Sequence, residues 1–321
     1  MTAASLNALR PDDGVCLLLP AQWLDARYAS AMRTHLWGLT NRRVELRLFR
    51  SGLFAEAQVD AVMLLVGAEG HAPGLFVAAD EQAVPLGISR SDASPDRWHA
   101  MVAGAEVAPD SEPTVPLGSL AKVRRGTATG ANSFFVLSDD DAEFLSSDVK
   151  IRLIRRLTGV GDEADESTFD AALKGTRQWL LLATREQRQA NPALHAYVTR
   201  GEETGLDERL LCSSRGKSNW FDLHHDLVCP DVVIGAMTKG HFKVVENLCR
   251  AAITNNLYGW TWNEDLDDDA RKRVLSWLRA PAGQTRLGAA AQHQGDRLLK
   301  IEPRALKELR VPASLVQESP A

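Results

Sequence analysis

Cysteine is scarce in this chain. The four thiols, Cys16, Cys212, Cys229 and Cys249, form no C-x-x-C pair. That argues against a zinc knuckle or a disulfide framework, and all four read as free, mostly structural thiols. Long apolar runs are lacking too. The longest stretches, such as "DAVMLLVG" and "WLLLAT", fall far short of the roughly 20 residues that span a bilayer, and the N-terminus carries no signal-peptide pattern. No membrane partner is expected, and the cytoplasm is the default location. There is no excess of basic charge either: 37 Lys and Arg face 42 Asp and Glu, a formal net charge of −5. A nucleic-acid binder usually presents a basic surface, so any such surface has to come from the distribution of charge rather than its sum.

That distribution is uneven. The whole negative excess falls in residues 1–114, and the remainder is neutral. In the neutral part the bases are clumped: Lys122, Arg124 and Arg125; Lys150, Arg152, Arg155 and Arg156; Arg215 and Lys217; Lys239 and Lys243. Many acids sit in separate runs such as "SDDDAE" and "EDLDDD". Such clumping permits a basic face on a neutral domain.

A length of 321 residues, 45% hydrophobic and 25% charged, suits two ordinary globular domains. The first hundred residues read as α/β. "GVCLLLP" predicts a buried strand, and "LDARYASAMRTHLWGL" spaces Leu24, Tyr28, Met32, Leu36 and Leu39 as a helix. "RRVELRLF" alternates apolar and polar residues and predicts a hairpin with "VDAVMLLVG". A Pro/Ser/Asp-rich stretch from about 85 to 116 reads as a linker. The strands before it are too few to close a doubly wound sheet and include no glycine-rich nucleotide loop, so another polypeptide or a missing N-terminal part is expected to cover the open edge. Beyond Leu117 short strands and helices mix. "NSFFVLS" reads as a strand, "VKIRLIRRLTGV" as a basic strand pair or short helix, and "DARKRVLSWLRAP" as an amphipathic helix with Val274, Trp277 and Leu278 inward. "DRLLKIEPRALKELRVP" reads as strand, turn and helix.

The stretch "RRGTATGANSFFVL" invites a phosphate-loop reading, but Gly126 and Gly130 are one residue too close for a Walker loop and the lysine is missing. It remains a polar loop with two permissive glycines, two cations and three hydrogen-bonding side chains, or simply a tight turn. His224, His225 and Cys229 match no zinc spacing, and no G-x-S-x-G elbow supports a Ser/His/Asp triad. The segments "YVTRGEETGLDERLLCSSRGKSNWF" and "ITNNLYGW" combine arginine, aromatic and amide side chains. Such side chains reach base edges, stack on bases and hold phosphates, although Trp and Tyr serve as core anchors more often.

Taken in order, the segments resemble the C-terminal portion of adenine-specific DNA methyltransferases of restriction-modification systems, the class with an Asn-Pro-Pro-Tyr catalytic motif. "LRPDDGVCLLLPAQWLDARYASAMRTHLW" is similar to the strand and helix after that motif, and "LFAEAQVDAVMLLV" to the closing hairpin. "KVRRGTATGANSFFVLS" resembles the start of the target-recognition region, with "AYVTRGEETGLDERLLCSSRGKSNWF", "TNNLYGW" and "KIEPRALKELRVP" following in order. The resemblance implies an incomplete methyltransferase-like α/β part over residues 1–84, a linker over 85–116 and an α+β target-recognition domain over 117–321. It implies double-stranded DNA as partner, contacted through Lys122, Arg124, Arg125, Thr129, Asn132, Arg215, Lys217, Trp220, Asn255 and Tyr258. Neither the S-adenosylmethionine motif nor Asn-Pro-Pro-Tyr occurs in this chain; "NPA" at Asn191 to Ala193 lacks the second proline and the aromatic. No catalytic, metal or cofactor residue is therefore expected here. S-adenosylmethionine belongs on a partner catalytic subunit or missing N-terminal half, and the chain alone is expected to be inactive. The rival reading is a stand-alone, non-enzymatic DNA-binding or interaction module.

Overall fold

A computed structural model describes residues 6, 8–49, 60–91, 94–103, 112–175, 177–295 and 298–317. They fall into two units, one drawn from 1–111, 237–241 and 288–301, the other from 112–236, 242–287 and 302–321.

The first unit is built on a five-stranded sheet. The alternating run predicted as a strand forms β2 (Arg42–Phe49), and the apolar run after it forms β3 (Ala61–Glu69). The two pair antiparallel with Leu46 opposite Leu64, as the hairpin reading expected; the intervening loop, 50–59, lies outside the described residues. β1 (Val15–Pro20) pairs antiparallel with the other side of β3, β4 (Gly74–Ala78) runs parallel to β2, and β5 (Leu86–Ile88) completes the order β1-β3-β2-β4-β5. Helix α1 (Ser30–Gly38) buries Leu36 and Trp37, and Trp98 packs between Trp37 and Trp23 at centroid distances of 5.9 and 6.0 Å. Trp98 is fully buried, so the Pro/Ser/Asp-rich stretch taken as linker supplies a core residue; residues 92–93 and 104–111 of it lie outside the described residues. A small sheet of Met237–Thr238, Leu298–Lys300 and Gln292–Gly295 also belongs to this unit.

β1 departs from the buried strand its sequence suggested. Not one of its six residues is buried, and Leu18 is 46% exposed. The reason is position: β1 pairs with β3 only, and its other edge meets no strand among the described residues. One face of β1, with Val15, Leu17 and Leu19, packs against the core, while Cys16, Leu18 and Pro20 on the other face are exposed.

The second unit holds three sheets. Its strands are β6 (Thr114–Pro116), β7 (Ala121–Arg125), β8 (Val136–Leu137), β9 (Lys150–Ile154), β10 (Glu163–Ala164), β11 (Trp179–Leu181), β12 (Val232–Gly235), β13 (Val244–Asn247), β14 (Ala252–Ile253), β15 (Leu257–Trp262) and β16 (Arg310–Pro312). They assemble in the orders β10-β13-β12-β15-β7, β14-β9-β11-β8 and β16-β6. The helices α2 (Pro192–Glu203), α3 (Asp268–Arg279) and α4 (Pro303–Glu308) accompany them.

Local chemistry explains these elements. Asn191 caps α2 by accepting from the amides of Ala193 and Leu194, and Pro192 takes the first helical position, where a missing N–H costs nothing. The "NPA" triplet is thus a helix start. α3 buries Val274, Leu275 and Leu278 at helical spacing, while Trp277, expected inward, is half-buried. "NSFFVLS" forms one helical turn, Asn132–Phe135, before β8 rather than a strand throughout. Phe134 and Phe135 are both buried, which strand alternation would forbid on a one-sided surface. They meet Trp220, whose indole N–H donates to Glu202 at 3.2 Å, in an aromatic core with Phe221 and Tyr197.

Candidate nucleic-acid interface

β7 alternates as its sequence requires: Ala121 and Val123 are buried, Lys122 and Arg124 are exposed. It is the last strand of its sheet, and β15 offers Thr261 opposite Lys122 and Gly259 opposite Arg124. Arg125 ends the strand, exposed, with its Nε donating to the Asn255 carbonyl at 2.7 Å. The chain then dives inward. A Cβ on Gly126 would lie 2.2 Å from the Thr254 carbonyl oxygen, so only glycine allows the backbones to pass this closely. The amides of Gly126 and Thr127 donate to the Leu257 and Ile253 carbonyls, fixing the loop against the 254–256 turn.

β9 reaches the same turn from the other side. β9 pairs parallel with β14, the Thr254 amide donates to the Ile154 carbonyl at 3.3 Å, and Asn256 Nδ2 donates to the Arg155 carbonyl at 2.9 Å. Arg155 and Arg156 follow directly and are exposed. Arg124, Arg125, Arg155 and Arg156 therefore emerge around one turn carrying Asn255, half-buried, and Asn256, exposed. Among the described residues no carboxylate pairs with any of the four, or with Lys122. Exposed cations without an internal carboxylate keep their charge available for an external anion. This arginine fork can hold phosphates with the Asn255 side chain beside them; the Asn256 amide is already engaged, its Nδ2 on the Arg155 carbonyl and its Oδ1 accepting from the Thr254 hydroxyl. Sequence reading selected Lys122, Arg124, Arg125 and Asn255; it passed over Arg155, Arg156 and Asn256, whose nearness to β7 depends on strand pairings over about a hundred residues. The clumping of basic residues was the one available signal.

The other sequence candidates take different places. Thr129 is buried; its Oγ1 accepts from the Ala131 amide and meets Asn132 Oδ1 at 2.7 Å. Asn132 itself is exposed. Arg215, expected on DNA, is instead a strap. Its Nη2 and Nη1 donate to the Ala128 and Thr129 carbonyls at 2.8 and 3.0 Å, and Nε pairs with Asp226 at 2.6 Å. Trp220, expected near bases, is fully buried in the aromatic core, and Tyr258 is buried with its hydroxyl 3.4 Å from Glu302. Neither ring is available for stacking in this structure, because each fills core volume. Lys217 is exposed on a turn after Gly216, whose φ of +93° needs a glycine. Gly130, at φ +82°, likewise turns the loop back over Cys212. His224 is exposed, its Nδ1 2.7 Å from Asp222, and the described residues contain no cluster of metal-ligand side chains. No helix among them is long and apolar enough to cross a membrane.

Comparison with known proteins adds family and fold. No curated protein matches the chain. A solved structure of the type IIL restriction-modification enzyme MmeI in complex with DNA is 14% identical, with a TM-score of 0.54 over 98% of this chain and 40% of that one. The type IIG restriction endonuclease BpuSI is also 14% identical, with a TM-score of 0.45 over 94% of this chain and 40% of its own. The chain thus spans 40% of the length of either structure. Residues 103–321, most of the chain, match the model of the type II methyltransferase M.Eco57I C-terminal domain. The chain belongs to the family of that domain and is a restriction-modification methyltransferase-related polypeptide of mixed α/β fold.

Proposed function

We propose that this chain is the DNA-recognition portion of an adenine-specific DNA methyltransferase and completes a catalytic part that carries S-adenosylmethionine and the Asn-Pro-Pro-Tyr motif. The observation that carries the proposal is the arginine fork: four exposed arginines with no carboxylate partner among the described residues, flanking one asparagine turn that is tied to them by the Arg125–Asn255 and Asn256–Arg155 hydrogen bonds. Arginine can read guanine bidentately and asparagine adenine, and each such pair gives about 1–3 kcal/mol of discrimination. The complex of MmeI with DNA, a protein of similar fold, supports the same reading. Adenine specificity rests on the resemblance of the ordered segments. Completion is supported by β1, an apolar strand with an open edge and no buried residue. A strand from the catalytic part pairing there would satisfy the edge, and an element of that part packed on the exposed face would bury Leu18, whether that part is a separate subunit or belongs to the same polypeptide.

The test mixes this chain with the polypeptide that carries the two motifs and follows methyl transfer from labelled S-adenosylmethionine to duplex DNA. Methylation at N6 of adenine in one sequence is expected only when both parts are present. Leu18→Asp is expected to weaken their association at least tenfold while leaving this chain folded, because Leu18 is already half in solvent. If the catalytic polypeptide methylates the same sequence equally well alone, the recognition role fails and a stand-alone module is the better description.

A further inference from the structure

The second unit contains a cleft that the arginine fork does not use. It has a volume of about 390 Å³ and is lined by Ser133, Phe134, Tyr197, Arg200, Thr204 and Arg209, among others. Tyr197, Arg200 and Thr204 lie at i, i+3 and i+7 of α2 and its C-terminal end, one continuous face. The neighbouring face of α2 is fixed in the core by Leu194 and Val198, and Gly201, which also lines the cleft, is pressed against Trp220 and Phe134 so tightly that a Cβ would lie 2.7 and 2.8 Å from their rings. The floor is therefore rigid. Its polar groups are already placed: the Tyr197 hydroxyl donates to the Phe134 carbonyl at 2.7 Å, and the Thr204 hydroxyl donates to the Gly201 carbonyl at 3.0 Å.

The two charged residues that line the cleft are both arginines, and the chain between them carries Glu202, Glu203, Asp207 and Glu208 outside the lining. Arg200 and Arg209 are exposed, and neither pairs with a carboxylate among the described residues. Arg200 stands 5.4 Å from the Tyr197 ring. Burial pushes the Tyr197 phenol up to about 12, so it stays neutral at physiological pH. The carboxylate that acts on that phenol, Asp141, is engaged by the Ser138 hydroxyl at 2.7 Å in a helix cap. No carboxylate lines the cleft itself.

We propose that this cleft is a second phosphate-binding site, in which Arg200 and Arg209 hold a backbone phosphate of the polynucleotide whose other contacts lie at the arginine fork. The proposal rests on the DNA-recognition reading above and extends it. One loop links the two places: Gly126 lies against the 254–256 turn and Ser133 lines the cleft. Seven residues of chain reach at most about 24 Å, which corresponds to roughly seven phosphates along one strand at about 3.4 Å each. The Gly126 and Ser133 ends of this loop thus lie within the length of a single turn of duplex. The cleft is too open and too charged for an apolar ligand, and its guanidinium pair, with a neutral phenol beside it, suits a phosphodiester or a free phosphate.

The experiment measures binding of the whole chain to a 30-base-pair duplex by fluorescence anisotropy over a range of salt. Arg200→Gln with Arg209→Gln is expected to lower the slope of log K against log salt by about 1 and to weaken all DNA sequences alike, as loss of one phosphate contact requires. Arg200→Lys with Arg209→Lys is expected to keep most of the slope, since a phosphate accepts a point charge; a purely structural role would not show that rescue. Thermal melting checks that both variants fold. An unchanged slope in the glutamine variant, with a reduced slope in Arg124→Gln plus Arg125→Gln, overturns the cleft proposal and leaves the recognition reading standing. Absence of duplex binding by the wild-type chain overturns both. Titration with inorganic phosphate, followed by the guanidinium NMR signals of Arg200 and Arg209, separates the sources. Displacement of bound phosphate by duplex supports the proposal; phosphate binding that duplex leaves untouched identifies a free-anion site and overturns it.

Discussion

Arg215 holds the Ala128 and Thr129 carbonyls and pairs with Asp226 through a side chain 9% exposed, while Lys217, two positions on, stands in solvent on a turn. Composition cannot separate these two cations, but desolvation does. Truncating Arg215 would leave two loop carbonyls unsatisfied and the Asp226 carboxylate unpaired, whereas truncating Lys217 leaves nothing buried behind. Arg215→Ala is expected to destabilise the chain by about 2–4 kcal/mol and Lys217→Ala by less than about 0.5 kcal/mol, read from urea unfolding monitored by tryptophan fluorescence. Equal effects would remove the strap role. Lys217→Ala is expected to act on DNA affinity alone.

Helix α2 shows how an element divides its residues between packing and chemistry. Leu194 and Val198 face the core; Tyr197, Arg200 and Thr204 face the cleft; and Gly201 borders both. Gly201 is the position where the two demands meet. Alanine there gains about 1 kcal/mol of helix propensity, but its Cβ would enter the Trp220 and Phe134 rings, and overpacking of this kind costs about 1–3 kcal/mol. These rings are held by the surrounding core and have little room to retreat. Packing wins, and Gly201→Ala is expected to lose about 1–2 kcal/mol in the same unfolding measurement; a gain in stability would show that the core relaxes freely.

The elements also differ in how plainly the sequence announces them. The β2–β3 hairpin and α3 follow from periodicity, because half-buried surfaces write alternation or helical spacing into the chain. β1 was legible as a strand but not as an edge, since its apolar run anticipates a neighbour beyond it. Trp220 and Tyr258 were misplaced for a related reason: a large aromatic beside arginines reads the same whether it stacks on a base or fills a core. The Pro/Ser/Asp-rich stretch concealed Trp98 because one core residue leaves no period.

At the scale of the whole molecule, charge arrangement outweighs net charge. A chain of net −5 still places a fork and a cleft of arginines without carboxylate partners among the described residues on one unit, while runs of its acids cap helices elsewhere. Boundaries drawn by sequence order also differ from those drawn by packing, since 237–241 and 288–301 belong with the first unit. A fragment comprising residues 112–321 alone strips those segments of their partners: Arg97, for example, donates to the Ala289 and Ala290 carbonyls. Such a fragment is expected to be less soluble than the full chain when the two are expressed side by side.

The passage of Gly126 beside Thr254 joins residues far apart along the chain, and Asn256 is tied to Arg155 in the same place. Contacts of such long range form only after large loops have closed, so they belong to the late, cooperative stages of folding. The fork is consequently no property of any peptide cut from this sequence. Its two pairs of arginines are strangers in the unfolded chain, and the surface they make exists only once the topology of the second unit is complete.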